Sequence, residues 1–252
     1  MTSIDFANIL FAGPFNACCP ACIGRQISPH LSQNNLDEFP PRNLDKFIEM
    51  IRQENIAQVV LSGTTTDPQL YRYEARLLVL LRHSLPAATQ LSLHTNGRMA
   101  LKKISLFNQY DRVSLSFPSF DAQTYRRMMG VPHPPYLAVI LREARVPVKI
   151  SYLVTNVNLQ EIPDFLENCH RLGVRRVVFR KLFSEKRSWE ELIPTRSVGF
   201  SARGNYRGNP IYDHGGIEVT LWDFNATEST CINLFSTGQI SREYKLAQTP
   251  LI

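Results

Sequence analysis

The chain has 252 residues, 44% hydrophobic and 20% charged, which is enough apolar material for a large α/β domain and excludes a disordered chain. Lys and Arg total 28 against 22 Asp and Glu, a formal charge of +6 that favours an anionic ligand. The five cysteines are clustered rather than spread, the first apolar run is short and preceded by Asp5, and no apolar run is long enough to cross a membrane. The chain therefore reads as a soluble, cytoplasmic protein with free thiols and not as a disulfide-framed secreted one.

In chain order, the apolar run 7–13 reads as a first strand. It leads into Cys18-Cys19-Pro20-Ala21-Cys22, which places three of the five thiols within five residues. Such a cluster at a strand exit points to metal or redox chemistry more than to packing. A helix is expected over 44–53, with Asn43 as its cap and Phe47, Ile48 and Ile51 on one face. Further strands are expected at 57–62, 90–94, 112–116, 148–153 and 175–180. Helices are expected at 70–82, 135–144 and 162–172, the last closed by Gly173.

Strand and helix alternating in this way demand a parallel sheet with right-handed crossovers. Residues 186–210 are rich in Gly, Ser, Arg and Pro and read as a loop that moves as a lid. Two strand-like runs, 216–222 and 230–235, are expected to pair antiparallel and cover the open side of the sheet. The organisation expected is one unit over 1–185 and an extension over 186–252 that packs on it. The densest basic stretch, 171–187, reads as a solvated helix end and strand edge and not as a reader of single strands.

Ligands of parallel α/β sheets gather at the carboxyl ends of the strands. Those ends carry Ser62-Gly63-Thr64-Thr65-Thr66-Asp67, then His94-Thr95-Asn96-Gly97, Ser116, Asn156 and Arg180. Hydroxyls, amides and glycine-exposed backbone make a rim suited to a polar cofactor, although the same residue types also serve turns for backbone reasons. His94 reads as a rim residue or a substrate contact, and Cys169 and Cys231 read as buried thiols.

On these residues the chain resembles the radical S-adenosylmethionine enzymes. The match runs from about residue 7 to 182, with a tail to 246. The family's cysteine loop, Cys-x-x-x-Cys-x-x-Cys, follows its first strand, and Asn16, Cys19, Pro20 and Cys22 fit it. Thr95-Asn96-Gly97 and Ser114-Leu115-Ser116 also fit. The resemblance implies a (β/α)6 partial TIM barrel with a small C-terminal antiparallel strand pair. It implies a 4Fe–4S cluster, S-adenosylmethionine as cofactor, an electron donor such as flavodoxin or ferredoxin, and hydrogen abstraction from a substrate. Ser62, Gly63, Thr64, Thr66, Asp67, Thr95, Asn96, Ser116, Asn156 and Arg180 are the implied cofactor-binding residues, and Cys18, Cys19 and Cys22 the implied cluster ligands.

The chain departs from the pattern at the first cluster position, where Phe15 replaces cysteine. Cys18 would then have to supply the third thiolate. Two other readings stay open: a degenerate binding module without the cluster, and a zinc site on Cys19 and Cys22 whose second ligand pair is hard to find in the sequence.

Overall fold

The structure, a computed structural model, describes residues 4–183, 185–195 and 198–244. The outer limits of the two expected segments, 1–3 and 245–252, and with them the end of the family-like tail at 246, lie outside the described residues.

All six expected strands form, within one or two residues of their anticipated ends. Strand β1 (Phe6–Phe11) leads through helix α1 (Leu44–Gln53) to β2 (Gln58–Gly63), and α2 (Glu74–Ser84) leads to β3 (Gln90–Thr95). A short α3 (Ile104–Phe107) precedes β4 (Arg112–Ser116). Helices α4 (Ala122–Met129) and α5 (Leu137–Glu143) then reach β5 (Val148–Leu153), and α6 (Ile162–Arg171) reaches β6 (Arg176–Arg180). Gly173 ends α6 in the left-handed region at φ +71°, as its position implies.

Local chemistry explains the helices whose limits differ from expectation. Helix α2 starts at Glu74 rather than 70, because the Asp67 carboxylate accepts the Gln69 N–H and caps a separate 3-10 turn, Pro68–Leu70. Helix α4 was not anticipated. Asp121 caps its start by accepting the Thr124 N–H at 2.7 Å, and Gly130 ends it at φ +68°. Asn43 does not cap α1 with its side chain, which instead donates to the Gly238 carbonyl at 2.9 Å and ties the helix to the tail.

The tail departs most from expectation. Residues 186–210 are not loop throughout: they hold α7 (Trp189–Leu192), β7 (Ser201–Tyr206) and the start of β8 (Asn209–His214). The runs anticipated as an antiparallel pair become β9 (Ile217–Trp222) and β10 (Cys231–Leu234) at opposite sides of the sheet. Strand β9 pairs parallel with β6, and β10 pairs parallel with β1. The mixed sheet therefore runs β11-β10-β1-β2-β3-β4-β5-β6-β9-β8-β7, where β11 is Ile240–Ser241. From β10 through β9 every neighbouring pair is parallel, and the hairpin β7–β8 and strand β11 add antiparallel edges. Alternating apolar residues predict that a segment is a strand. They do not choose its partner, which here is set by the free edges of β1 and β6.

The two faces of this sheet differ in kind. Ala7, Ile9, Leu61, Leu93, Leu115, Ile150, Val177 and Val219 point into the apolar core under the helices. The residues between them, from Asn8 on β1 to Thr220 on β9, line a cavity on the other face and are mostly polar.

Candidate active site

The cavity holds about 1460 Å³. That exceeds the roughly 300–1,000 Å³ usual for a single small-molecule pocket. Register arranges its wall in rows. On one level His94 pairs with Ser114, and Ser114 pairs with Lys149. Ile150 pairs with Val177, which sets Arg176 beside Lys149, and Arg176 pairs with Glu218. One level nearer the carboxyl ends, Ser116, Ser151, Val178 and Thr220 stand in register. Arg180 sits above them between Leu153 and Trp222.

At the β1–β3 end the cysteine loop is bolted to the rim. Thr64 donates its N–H to the Phe11 carbonyl at 2.7 Å and its hydroxyl to the same oxygen at 3.0 Å. The Thr66 hydroxyl donates to the Pro14 carbonyl at 2.6 Å, and Asn96 Nδ2 donates to Asn16 Oδ1 at 2.7 Å. Buried Asp67 accepts from the Asn96 N–H at 2.7 Å and from the Thr95 hydroxyl at 2.9 Å, joining the ends of β2 and β3. Burial pushes its carboxyl up to about 6, against the opposing pull of these donors. Two glycines allow the close approach. A Cβ on Gly24, just past the cysteines, would lie 1.7 Å from the Thr64 carbonyl oxygen, and one on Gly63 would lie 1.7 Å from the Thr66 carbonyl oxygen.

The implied cofactor residues thus divide by role. Ser62, Gly63, Thr64, Thr66, Asp67, Thr95, Asn96, Ser116 and Arg180 all line the cavity. The side chains of Thr64, Thr66, Asp67, Thr95 and Asn96 are already engaged in holding the loop and the strand ends. Ser62 and Ser116 line the cavity, and their hydroxyls make no hydrogen bond among the described residues. Asn156 is not brought to the cavity: it is exposed and accepts a hydrogen bond from Arg187 at 2.9 Å.

The thiols divide as well. Cys19 and Cys22 line the cavity together with Phe15. Burial, reinforced by Cys22 and Cys18 and opposed by Arg25, pushes the Cys19 thiol up to about 12, so it ionises only with a cation bound. Cys18 is exposed and absent from the cavity wall. Its N–H donates to the Met129 carbonyl at 2.8 Å, and Arg25 donates to its sulfur at 3.3 Å. Among the described residues no three His, Cys, Asp or Glu side chains gather as a metal-holding set. Cys19 and Cys22 therefore share the cavity wall, and Cys18, its N–H held by the Met129 carbonyl, stands off it. For the zinc alternative, no third ligand gathers beside Cys19 and Cys22 among the described residues.

Sequence reading missed Lys149, Arg112, Arg176 and Glu218 as cavity residues. The available signal was alternation: Gln58 and Ser62 on β2, interrupted by Val60, then Ser92 and His94, Ser114 and Ser116, Lys149 and Ser151 on the strands that follow. Parallel strands buried on both faces read as continuous apolar runs, so polar residues at every second position mark a wet interior. Cys231, anticipated as buried, is a half-buried member of the cavity wall on β10, whereas Cys169 is fully buried in the core.

Lys149 is half-buried on the cavity wall. Burial first, then the charges of Arg180, Arg176 and Arg112, lower it to about 7, with Glu218 opposing. A Lys whose folded pKa lies below its unfolded value of about 10.4 binds fewer protons when folded, so stability rises with pH across that window. Lys149→Met is expected to raise the melting temperature at pH 7 and below, and the gain over wild type should close as pH approaches 10. Melting curves of both proteins at several pH values check this. A gain that does not change with pH would remove the charge explanation.

No family model matches the chain. A probable GTP 3',8-cyclase of Thermoplasma volcanium is 25% identical over 142 residues, 52% of this chain and 41% of that protein. SuiB of Streptococcus suis aligns with 96% of this chain and 61% of its own at a TM-score of 0.64 and 13% identity. SuiB bound to S-adenosylmethionine aligns over 78% of this chain and 43% of its own, with a TM-score of 0.57 and 15% identity. The anSMEcpe enzyme with bound AdoMet aligns over 73% of this chain and 55% of its own, with a TM-score of 0.55 and 14% identity. The chain spans less than half the length of the curated relative. It has the fold of the radical S-adenosylmethionine superfamily, the family that its cysteine loop resembles.

Proposed function

We propose that this protein is an enzyme of S-adenosylmethionine-dependent radical chemistry and that it binds the cofactor at the carboxyl ends of β1–β4. On this reading β1–β6 correspond to the (β/α)6 partial barrel, and the described part of the extension, 186–195 and 198–244, completes the cavity wall. The observation that carries the reading is the meeting of Cys19 and Cys22 with the rim of Ser62, Gly63, Asn96 and Ser116 in one cavity. In the family a 4Fe–4S cluster, reduced by a donor such as flavodoxin or ferredoxin, supplies the electron for cofactor cleavage. Because Cys18 stands off the cavity wall, no step is assigned to a cluster here. The chain's own groups bind and orient the cofactor and shield it from water within the enclosed wall.

Calorimetric titration tests the cofactor site. Wild type should bind S-adenosylmethionine, and Ser116→Ala should weaken it by about 0.5–1.5 kcal/mol, roughly two- to tenfold, for one lost hydrogen bond. Absence of binding would refute the reading. Anaerobically reconstituted, dithionite-reduced protein should release 5′-deoxyadenosine. Binding without that release would favour a second reading, a non-catalytic binding module, which Phe15 on the cavity wall supports. SuiB has been solved with a precursor peptide and the curated relative bears the name of a GTP cyclase, so these neighbours do not agree on a substrate.

A further inference from the structure

The β3–β6 side of the cavity carries a group of basic side chains that the cofactor reading leaves unused. His94, Lys149 and Arg180 come from three different strands and face the same space. Two nearby cations already have acids. Arg176 pairs with Glu218 at 2.7 Å, and Lys181 pairs with Asp223 at 2.9 Å. Among the described residues Lys149 and Arg180 have no such pairing, and Arg180 Nε is buried without any hydrogen-bond partner. Arg112, on β4, adds a further positive charge to the wall.

Unpaired, enclosed cations are costly, and a fold retains them where something else supplies the counter-charge. A guanidinium fork and an ammonium on the same cavity wall supply the donors that the oxygens of a phosphate or carboxylate accept. His94 adds a hydrogen-bonding ring. Burial, together with the charges of Lys149 and Arg180, lowers its pKa well below the usual histidine value, so it serves as a neutral donor or acceptor.

We propose that His94, Lys149 and Arg180 form a subsite for an oxyanion of the substrate, beside the cofactor rim and within the same cavity. This assigns Arg180 to the substrate and not to the cofactor carboxylate. It rests on the reading of the cavity as the ligand site, and it names the substrate class as a small molecule bearing a phosphate or carboxylate group.

Titration of the purified protein without S-adenosylmethionine, using sulfate and malonate as probes, tests it. Saturable binding is expected, weakened about tenfold or more in Lys149→Met and in Arg180→Gln, as for loss of a charge-assisted hydrogen bond. Tighter sulfate binding would assign a phosphate, and tighter malonate binding a carboxylate. Sulfate does not change charge between pH 6 and 8.5, so its affinity should fall over that range as Lys149 loses its proton. The groups facing Lys149 are His94 on β3, Arg112 on β4, Arg176 and Arg180 on β6, and Glu218 on β9, so the pH dependence should disappear in Lys149→Met. Lys149→Met should bind S-adenosylmethionine as wild type does. Wild-type anion affinity in Lys149→Met, or no saturable binding of either anion to cooperatively folding protein, overturns the subsite. Loss of cofactor binding with anion binding intact would instead defeat the cofactor reading.

Discussion

Alanine at Gly24 or Gly63 is expected to abolish S-adenosylmethionine binding and to destabilise the protein by about 4 kcal/mol or more, the range reserved for severe core or backbone disruption. In each case the new Cβ would lie 1.7 Å from a backbone carbonyl oxygen, that of Thr64 or of Thr66. Overpacking against a movable side chain costs about 1–3 kcal/mol. Here the obstacle is main chain already held in place, since the Thr64 N–H and hydroxyl both bond the Phe11 carbonyl and the Thr66 hydroxyl bonds the Pro14 carbonyl. To make room, the cysteine loop would have to part from the end of β2. Gly173→Ala is the control. Nothing lies within 4 Å of its Cβ position, so only the strain of φ +71° remains, about 1–2 kcal/mol. Urea unfolding and cofactor titration of the three variants measure both effects. Wild-type affinity in Gly24→Ala would show that the loop and the rim are not coupled.

Phe15→Cys is expected to raise severalfold the iron retained after anaerobic reconstitution with iron and sulfide. Iron–sulfur clusters are held by thiolates, and the cavity wall presents Cys19 and Cys22 with Phe15 beside them. The substitution puts a third thiol on that wall, whereas Cys18 is held outside it by the Met129 carbonyl and Arg25. Cys18→Ala should accordingly leave iron content unchanged. Iron and sulfide analysis with an absorbance spectrum decides. A full complement of iron in wild type that Cys18→Ala removes would show that the loop rearranges to recruit Cys18. Unchanged iron in Phe15→Cys would place the Phe15 side chain too far from the other two sulfurs.

The sequence alone was sufficient for the strands and most of the helices of the parallel sheet, because each is encoded by local pattern. Val59, Val60 and Leu61 can only be a buried strand, and Phe47, Ile48 and Ile51 can only share one face of a helix. It also brought the cysteine loop and the Gly63–Asp67 and Thr95–Gly97 segments to one end of the sheet, since right-handed crossovers align the carboxyl ends of parallel strands. What it left open depended on distance along the chain. Whether Ile217–Trp222 and Cys231–Leu234 pair with each other or with β6 and β1 depends on which sheet edges remain free, and residues far apart in sequence create those edges. Whether a hydroxyl such as that of Thr66 waits for a ligand or is used on the Pro14 carbonyl depends on how two loops meet. The same holds for the thiols. Spacing made Cys18, Cys19 and Cys22 look equivalent, and only the packing of α4 against the loop turned Cys18 away from Cys19 and Cys22. The cationic interior was written in the sequence as alternation. It became a site only when register set Lys149 beside Arg176, with His94 and Arg180 on the same wall, because charges act through space and not along the chain.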